Sequence, residues 1–190
     1  MNILVRTYSG QTIVRPDTTW ERDSEDLYVP GFVDELSFTP VLAARIIKPG
    51  RSVSARFAKR YYDPEGLGAG LLLYPEDLLR SGHEEAFATA SCLDHTSFLP
   101  MPERNALRLS SFTVSRQSCV RDQFFLDPEM SVEMLEQAIE EVTKMCYIRT
   151  GDLICIELSP RKMLAERGDG SLEVKAELKG ETVLDFRIIF

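Results

Sequence analysis

Residues 131–158 read SVEMLEQAIEEVTKMCYIRTGDLICIEL, and the change of period inside this stretch decides the fold class. Val132, Leu135, Ile139, Val142 and Cys146 recur at spacings of three and four, which sets them on one stripe of a helix. Glu133, Glu136, Glu140 and Glu141 fall largely outside that stripe. Asp127-Pro128 or Ser131 supplies a start, acidic side chains crowd the first half and Lys144 lies late, the order that the helix dipole favours. Gly151 is expected to end the segment. Beyond Gly151-Asp152, residues 153–158 are short, rich in isoleucine and bounded by Ser159-Pro160, which is the pattern of a strand.

Downstream, Leu172, Val174, Ala176 and Leu178 alternate with Glu173, Lys175 and Glu177, giving a strand with one dry and one wet face. Lys179-Gly180 offers a turn into a last strand over residues 182–190. Upstream, residues 11–15, 41–47 and 107–115 read as strands. Residues 53–61 and 75–80 read as short helices, the second with Pro75 near its first turn. The segments 17–26 and 100–105, rich in charge or proline, are expected surface loops too short to separate domains. Strands outnumber helices, so the expectation is one mixed α/β, β-rich domain over residues 1–190, with a few short helices and one longer amphipathic helix.

A chain of 190 residues of which 44% are hydrophobic can bury the core of such a domain. The net charge of -8, from 30 acidic against 22 basic residues without a local basic cluster, repels phosphate backbones and anionic lipid. No nucleic acid and no membrane are therefore the expectation. Apolar stretches such as residues 68–74 fall far short of the roughly 20 residues that cross a bilayer. The first residues show no basic leader followed by an extended apolar region, which points to the cytoplasm. Cys92, Cys119, Cys146 and Cys155 are widely spaced with no Cys-x-x-Cys pair, so they read as buried or half-buried free thiols rather than a zinc or redox motif.

Gly66, Gly68 and Gly70 lack the Gly-Lys-Ser/Thr of a phosphate loop and the long helix of a dinucleotide fingerprint, and read as a tight backbone passage. His83-Glu84-Glu85 has no second His four residues after the first and reads as a solvated segment. Asp94-His95-Thr96 is where a carboxylate, an imidazole and a hydroxyl adjoin, the groups that acid/base chemistry requires. No Gly-x-Ser-x-Gly elbow accompanies it. Asp23-Ser24-Glu25 and the pair Glu173, Glu177 have oxygen donors suited to a hard cation, but their setting is that of solvated charge.

Several segments together resemble the fumarylacetoacetate hydrolase family, especially its short bacterial hydratase, isomerase and decarboxylase-like members. Arg15-Pro16-Asp17-Thr18 looks like the family's Lys-Pro-Asp-Thr loop, and residues 54–63 look like the helix before its glycine-rich strand. Residues 142–154 are similar to its helix-to-strand passage ending in Gly-Asp-Leu-Ile, and residues 184–188 resemble its final strand. The resemblance implies a β-roll with a shortened N-terminal region, commonly dimeric. It also implies a divalent metal, usually Mg²⁺, and a substrate with adjacent keto and carboxylate groups.

Carried over position by position, the family's working residues are mostly absent. Its His-Tyr-Glu-x-Glu strand falls on Ser37-Phe38-Thr39-Pro40-Val41, so both metal carboxylates are replaced, and Pro40 removes a strand donor. The third metal ligand falls on Gly70, or on Asp77 in a shifted alignment. The catalytic Lys falls on Ser91, and the anion-binding Gly-Thr-Pro falls on Glu157-Leu158-Ser159. Thr39, Val41 and Gly70 do not supply the carboxylate charge that Mg²⁺ needs, so no cofactor is expected.

Three functions follow as expectations. The first is a non-catalytic, pseudoenzyme-like homologue that acts by association, as a homodimer or a heteromer with a related chain. The second is an active hydrolase, isomerase or decarboxylase with a rebuilt acid/base site at Asp94, His95 and Glu157, with Asp77 as an added candidate. The third is a module for a small keto-acid ligand, in which Arg45, Arg60 or Arg108 provides a carboxylate fork.

Overall fold

The computed structural model describes residues 1–100, 111–117, 120–125 and 127–190. The first elements are β1 (Asn2–Arg6), β2 (Thr12–Pro16), β3 (Trp20–Glu21), β4 (Leu27–Tyr28) and β5 (Glu35–Ile46). Then come α1 (Ala55–Ala58), β6 (Tyr62–Pro75), α2 (Glu76–Arg80), α3 (Ala86–Ala90) and β7 (Ser97–Phe98). The chain continues through β8 (Ser111–Arg116), β9 (Val120–Phe125), α4 (Pro128–Met145) and β10 (Leu153–Glu157). It closes with β11 (Lys162–Glu166), β12 (Ser171–Leu178) and β13 (Glu181–Ile189). The structure is the β-rich roll expected, with one long helix.

Pro128 opens α4 at a position where a missing N–H costs nothing, and the Asp127 side chain accepts a hydrogen bond from Met130 N at 2.8 Å. Leu135, Ile139 and Val142 are fully buried, as the stripe requires. The helix stops at Met145, earlier than Gly151, because Cys146 is already extended and Ile148 exchanges backbone hydrogen bonds with Gly50. Gly151 instead makes the turn itself. Its φ of +93° suits glycine, and its N–H donates to Ile46 O. Asp152 fastens that turn by accepting from Asn2 N at 2.9 Å and Arg149 N at 2.7 Å.

Two sheets carry the architecture. The larger runs β2-β1-β10-β5-β6-β7-β3, with β11 also paired to β5, and the smaller runs β4-β13-β12-β8-β9. One face of the large sheet packs Leu42, Ala44, Leu71, Leu73 and Ile154 against α4 and against Phe112, Val174 and Phe186 of the small sheet. The Phe98 and Phe186 rings stack at 3.8 Å across this seam. The other face gathers Ile3, Val5, Val41, Ala43, Leu72, Tyr74 and Cys155 into a second cluster beneath Trp20 and Leu99.

Pro40 is accommodated in the middle of β5 by a gap in pairing. β10 pairs residues 41–45 and β11 pairs residues 35–38, so the missing N–H falls where neither neighbour is in register. Its carbonyl still accepts from Leu158 N at 2.9 Å. The helix expected over residues 53–61 contracts to Ala55–Ala58, since Tyr61 O accepts from Ile47 N and the chain has already joined β6. The strand expected over residues 107–115 is described as Ser111–Arg116, and residues 100–105 and Cys119 fall, but for Pro100, outside the described residues. Cys92 is exposed, contrary to expectation, whereas Cys146 is half-buried and Cys155 buried. Among the described residues, no helix is long and apolar enough to cross a membrane.

Candidate functional site

Alternation along β5 and β6 fixes what meets on the second face of the large sheet. Ser37 pairs Tyr74, Thr39 pairs Leu72 and Val41 pairs Gly70 in antiparallel register. Thr39, Val41 and Gly70 therefore converge on one face, but they close it rather than opening a hollow. Val41 is fully buried beside Leu72, Leu99 and Cys155. Thr39 is also fully buried and spends its hydroxyl on Ser159 O at 2.8 Å. A Cβ at Gly70 would lie 2.3 Å from the Phe98 carbonyl oxygen and 3.0 Å from Leu99 Cδ2, so no acidic side chain fits there without moving β7.

A hard divalent cation requires several oxygen donors around one point. On this face the one side-chain oxygen contributed by the three positions is already a satisfied hydroxyl, and the residues present do not fit the metal that the resemblance implies. Asp77 lies off the face, on α2, where its carboxylate accepts from Glu35 N at 3.4 Å. Among the described residues, no group of three His, Cys, Asp or Glu side chains converges on a cation position.

An opening lies at the strand ends beside this packed face. A cleft of about 750 Å³ is bounded by the turn after β1 (Thr7, Tyr8, Ser9), the start of β5 (Glu35, Ser37) and the α2–α3 region (Glu76, Arg80, Phe87). Glu157 at the end of β10 and Arg161, Met163 and Glu166 complete it. Glu157 is only 6% exposed. Its carboxylate accepts from the Tyr74 hydroxyl at 2.7 Å and from Tyr8 N at 2.8 Å. Burial pushes the Tyr74 phenol above its ordinary range, Glu157 adds to the effect, and Arg15 partly offsets it.

Arg15 lies behind Tyr74, its guanidinium 4.4 Å from the ring centroid, and is wholly buried. It donates to Leu73 O at 2.6 Å, Thr96 O at 3.1 Å and Ser97 Oγ at 2.8 Å. On the cleft wall, Glu76 accepts from Arg161 Nε at 2.7 Å and from Ser37 Oγ at 2.5 Å, and Arg80 pairs with Glu35. Arg161 also lies over the rings of Tyr74 and Phe87, 5.5 and 5.9 Å from their centroids.

The residues singled out in the sequence are divided by the fold. Asp94 and His95 are exposed and line a different hollow with Glu25, Tyr28 and Cys92, whereas Glu157 faces the cleft. His95 adopts φ +55° and its Nδ1 lies 3.1 Å from Glu21 Oε2. Burial pushes the Glu21 carboxyl up, but hydrogen bonds from Asp23 N, the His95 ring and Glu25 N outweigh it and hold it below the usual carboxylate range. Ser91 is buried at the end of α3, donating to Phe87 O at 2.7 Å. Arg45 and Arg60 are exposed and lean on the rings of Trp20 and Phe57, and Arg108 lies outside the described residues. Glu76 and Arg161, which line the cleft, and Tyr74, which holds Glu157 from behind, were not among the expected residues.

Solved structures superpose on nearly the whole chain. A Yersinia pestis CO92 protein assigned to the fumarylacetoacetate hydrolase family gives a TM-score of 0.79 at 16% identity, covering 99% of this chain and 92% of its own. The fold is that of the fumarylacetoacetate hydrolase family. The fumarylpyruvate hydrolase of Pseudomonas aeruginosa, whose structure holds Mn²⁺ and pyruvate, gives 0.78 at 12% identity, covering 100% and 90%. The 5-carboxymethyl-2-hydroxymuconate delta-isomerase of Mycobacterium smegmatis gives 0.76 at 14% identity, covering 99% and 78%. No family model and no curated protein matches the sequence. The hydrolase-like and isomerase-like scaffold thus persists at an identity where side chains at the chemical positions are free to differ.

Proposed function

We propose that this chain is a single-domain, cytoplasmic homologue on the fumarylacetoacetate hydrolase fold that has given up the metal-dependent diketo-acid chemistry of its structural neighbours. One observation carries the reading. Val41 stands opposite Gly70, and the Phe98 carbonyl occupies the space a side chain at position 70 would need. Core packing has replaced charge where a cation would have to sit. The expected role is association, with a second copy or with a related active chain, and the exposed rings of Tyr28 and Phe32 beside the β4 edge suit such a contact. Incubation with fumarylpyruvate and Mn²⁺ at neutral pH is expected to give no protein-dependent turnover. Metal-dependent turnover that an EDTA wash removes would contradict the reading.

The cleft favours a second reading, a small-molecule module. Glu157 lines the cleft, held from behind by the buried Tyr74 hydroxyl, while Asp94 and His95 face a different hollow, so an acid/base site joining all three expected residues has no common opening to work in.

A further inference from the structure

We propose that the cleft over Glu157 binds a ligand carrying a protonated amine, with the Glu157 carboxylate taking the ammonium head and the Phe87 and Tyr8 rings receiving an apolar body. The proposal rests on the reading of the cleft as a small-molecule site. It differs from an inherited keto-acid site in the sign of the charge it selects.

Glu157 is a carboxylate withdrawn from water with only neutral donors on it, a phenol and a backbone N–H. No Lys, Arg or His lies within ion-pair distance of it among the described residues. A carboxylate this buried gains strongly from a countercharge, and each of its oxygens has a lone pair beyond the one already used. The cations of the cleft do not fill that need. Arg161 is held by Glu76 and Arg80 by Glu35, which matches these charges one to one. Arg15 is on the far side of the Tyr74 ring, wholly buried and committed to Leu73, Thr96 and Ser97.

What the arrangement leaves room for is a cation that enters from solvent. A hydrated metal ion is poorly served, because one carboxylate offers too few ligands. An ammonium group needs two or three acceptors and gains from an aromatic face, and the cleft has Glu157 for the first and the exposed Tyr8 ring for the second. Phe87 is held 5.9 Å from Tyr74 by ring packing, and Tyr8, 58% exposed, also lines the cleft. The surplus of carboxylates over guanidinium groups lining the cleft repels an anionic head.

The test is calorimetric titration of the full chain in EDTA buffer at neutral pH with 2-phenylethylamine and with 3-phenylpropionate, which share a ring and differ in head charge. The amine is expected to bind about tenfold tighter or more, the scale of a charge-assisted hydrogen bond. Glu157→Gln is expected to lose that preference and leave the weak response to phenylpropionate unchanged. Phe87→Ala, which leaves the bonds of Glu157 in place, is expected to weaken the amine several-fold and serves if the first variant does not fold. Absence of amine binding, equal binding of the two probes, or an unchanged response in Glu157→Gln overturns the proposal. EDTA keeps this result separate from the metal question: a silent amine titration refutes the ligand class alone, and metal-dependent turnover refutes the reading of the packed face alone.

Discussion

Val41 on β5 stands directly opposite Gly70 on β6, and the glycine lies so close under the Phe98 carbonyl that a Cβ would reach it at 2.3 Å. Glycine is required here by proximity, since the neighbour is backbone and cannot swing away. Gly70→Ala is therefore expected to destabilise the protein by about 3 kcal/mol, the upper part of the range for overpacking. Urea denaturation followed by circular dichroism measures it. A change within about 0.5 kcal/mol would mean that β7 yields freely and that the packed face is not closed.

Arg15 carries a full charge into the core without a carboxylate partner among its hydrogen bonds, and its planar fork ties Leu73 to Thr96 and Ser97. A lysine ammonium cannot reach these acceptors in the same plane or stack on Tyr74. Arg15→Lys is expected to cost about 2 kcal/mol through acceptors left unpaired. Thermal unfolding of the two proteins side by side gives the value, and equal midpoints would show that the fork is dispensable.

Glu21 has a folded-state pKa held below its unfolded value, with His95 among the causes. The stabilisation is therefore complete above the unfolded value of about 4.3 and is lost as pH falls from there through the lower folded pKa. Glu21→Gln is expected to flatten the acid limb of the stability profile in that window. Denaturant midpoints collected from about pH 6 down to about pH 2.5 span that window and test it. Parallel acid limbs would refute the linkage.

Asp127 caps α4 through Met130 N. Asp127→Ala is expected to cost about 1 kcal/mol, and Asp127→Asn to recover most of the loss because the amide oxygen can accept the same bond. Chemical denaturation of the two variants distinguishes cap loss from a charge effect, which would leave asparagine no better than alanine.

Local patterns were legible in the sequence. The apolar stripe of α4, the Gly151-Asp152 turn and the alternation of β12 all depend on neighbours a few residues apart, and each stands in the structure. β6 was less so, because its early residues include Pro64 and Gly66 and its pairing jumps from Leu67 opposite Ala44 to Tyr62 opposite Ile46. Glu157 was visible as a carboxylate where the resembled family has glycine. Its partner Tyr74 is 83 positions away, and Arg161 meets Glu76 across 85, distances over which no periodicity signals contact. Asp94 and His95 attracted attention by adjacency, yet adjacency in an exposed turn with His95 at φ +55° places neither with Glu157.

The central claim is that packing has replaced metal ligation on the face formed by Thr39, Val41 and Gly70. Its most direct measurement is a calorimetric titration of the purified, EDTA-treated and dialysed protein with Mn²⁺ at neutral pH. The account predicts no saturable heat up to millimolar metal. Stoichiometric binding at micromolar metal would contradict it.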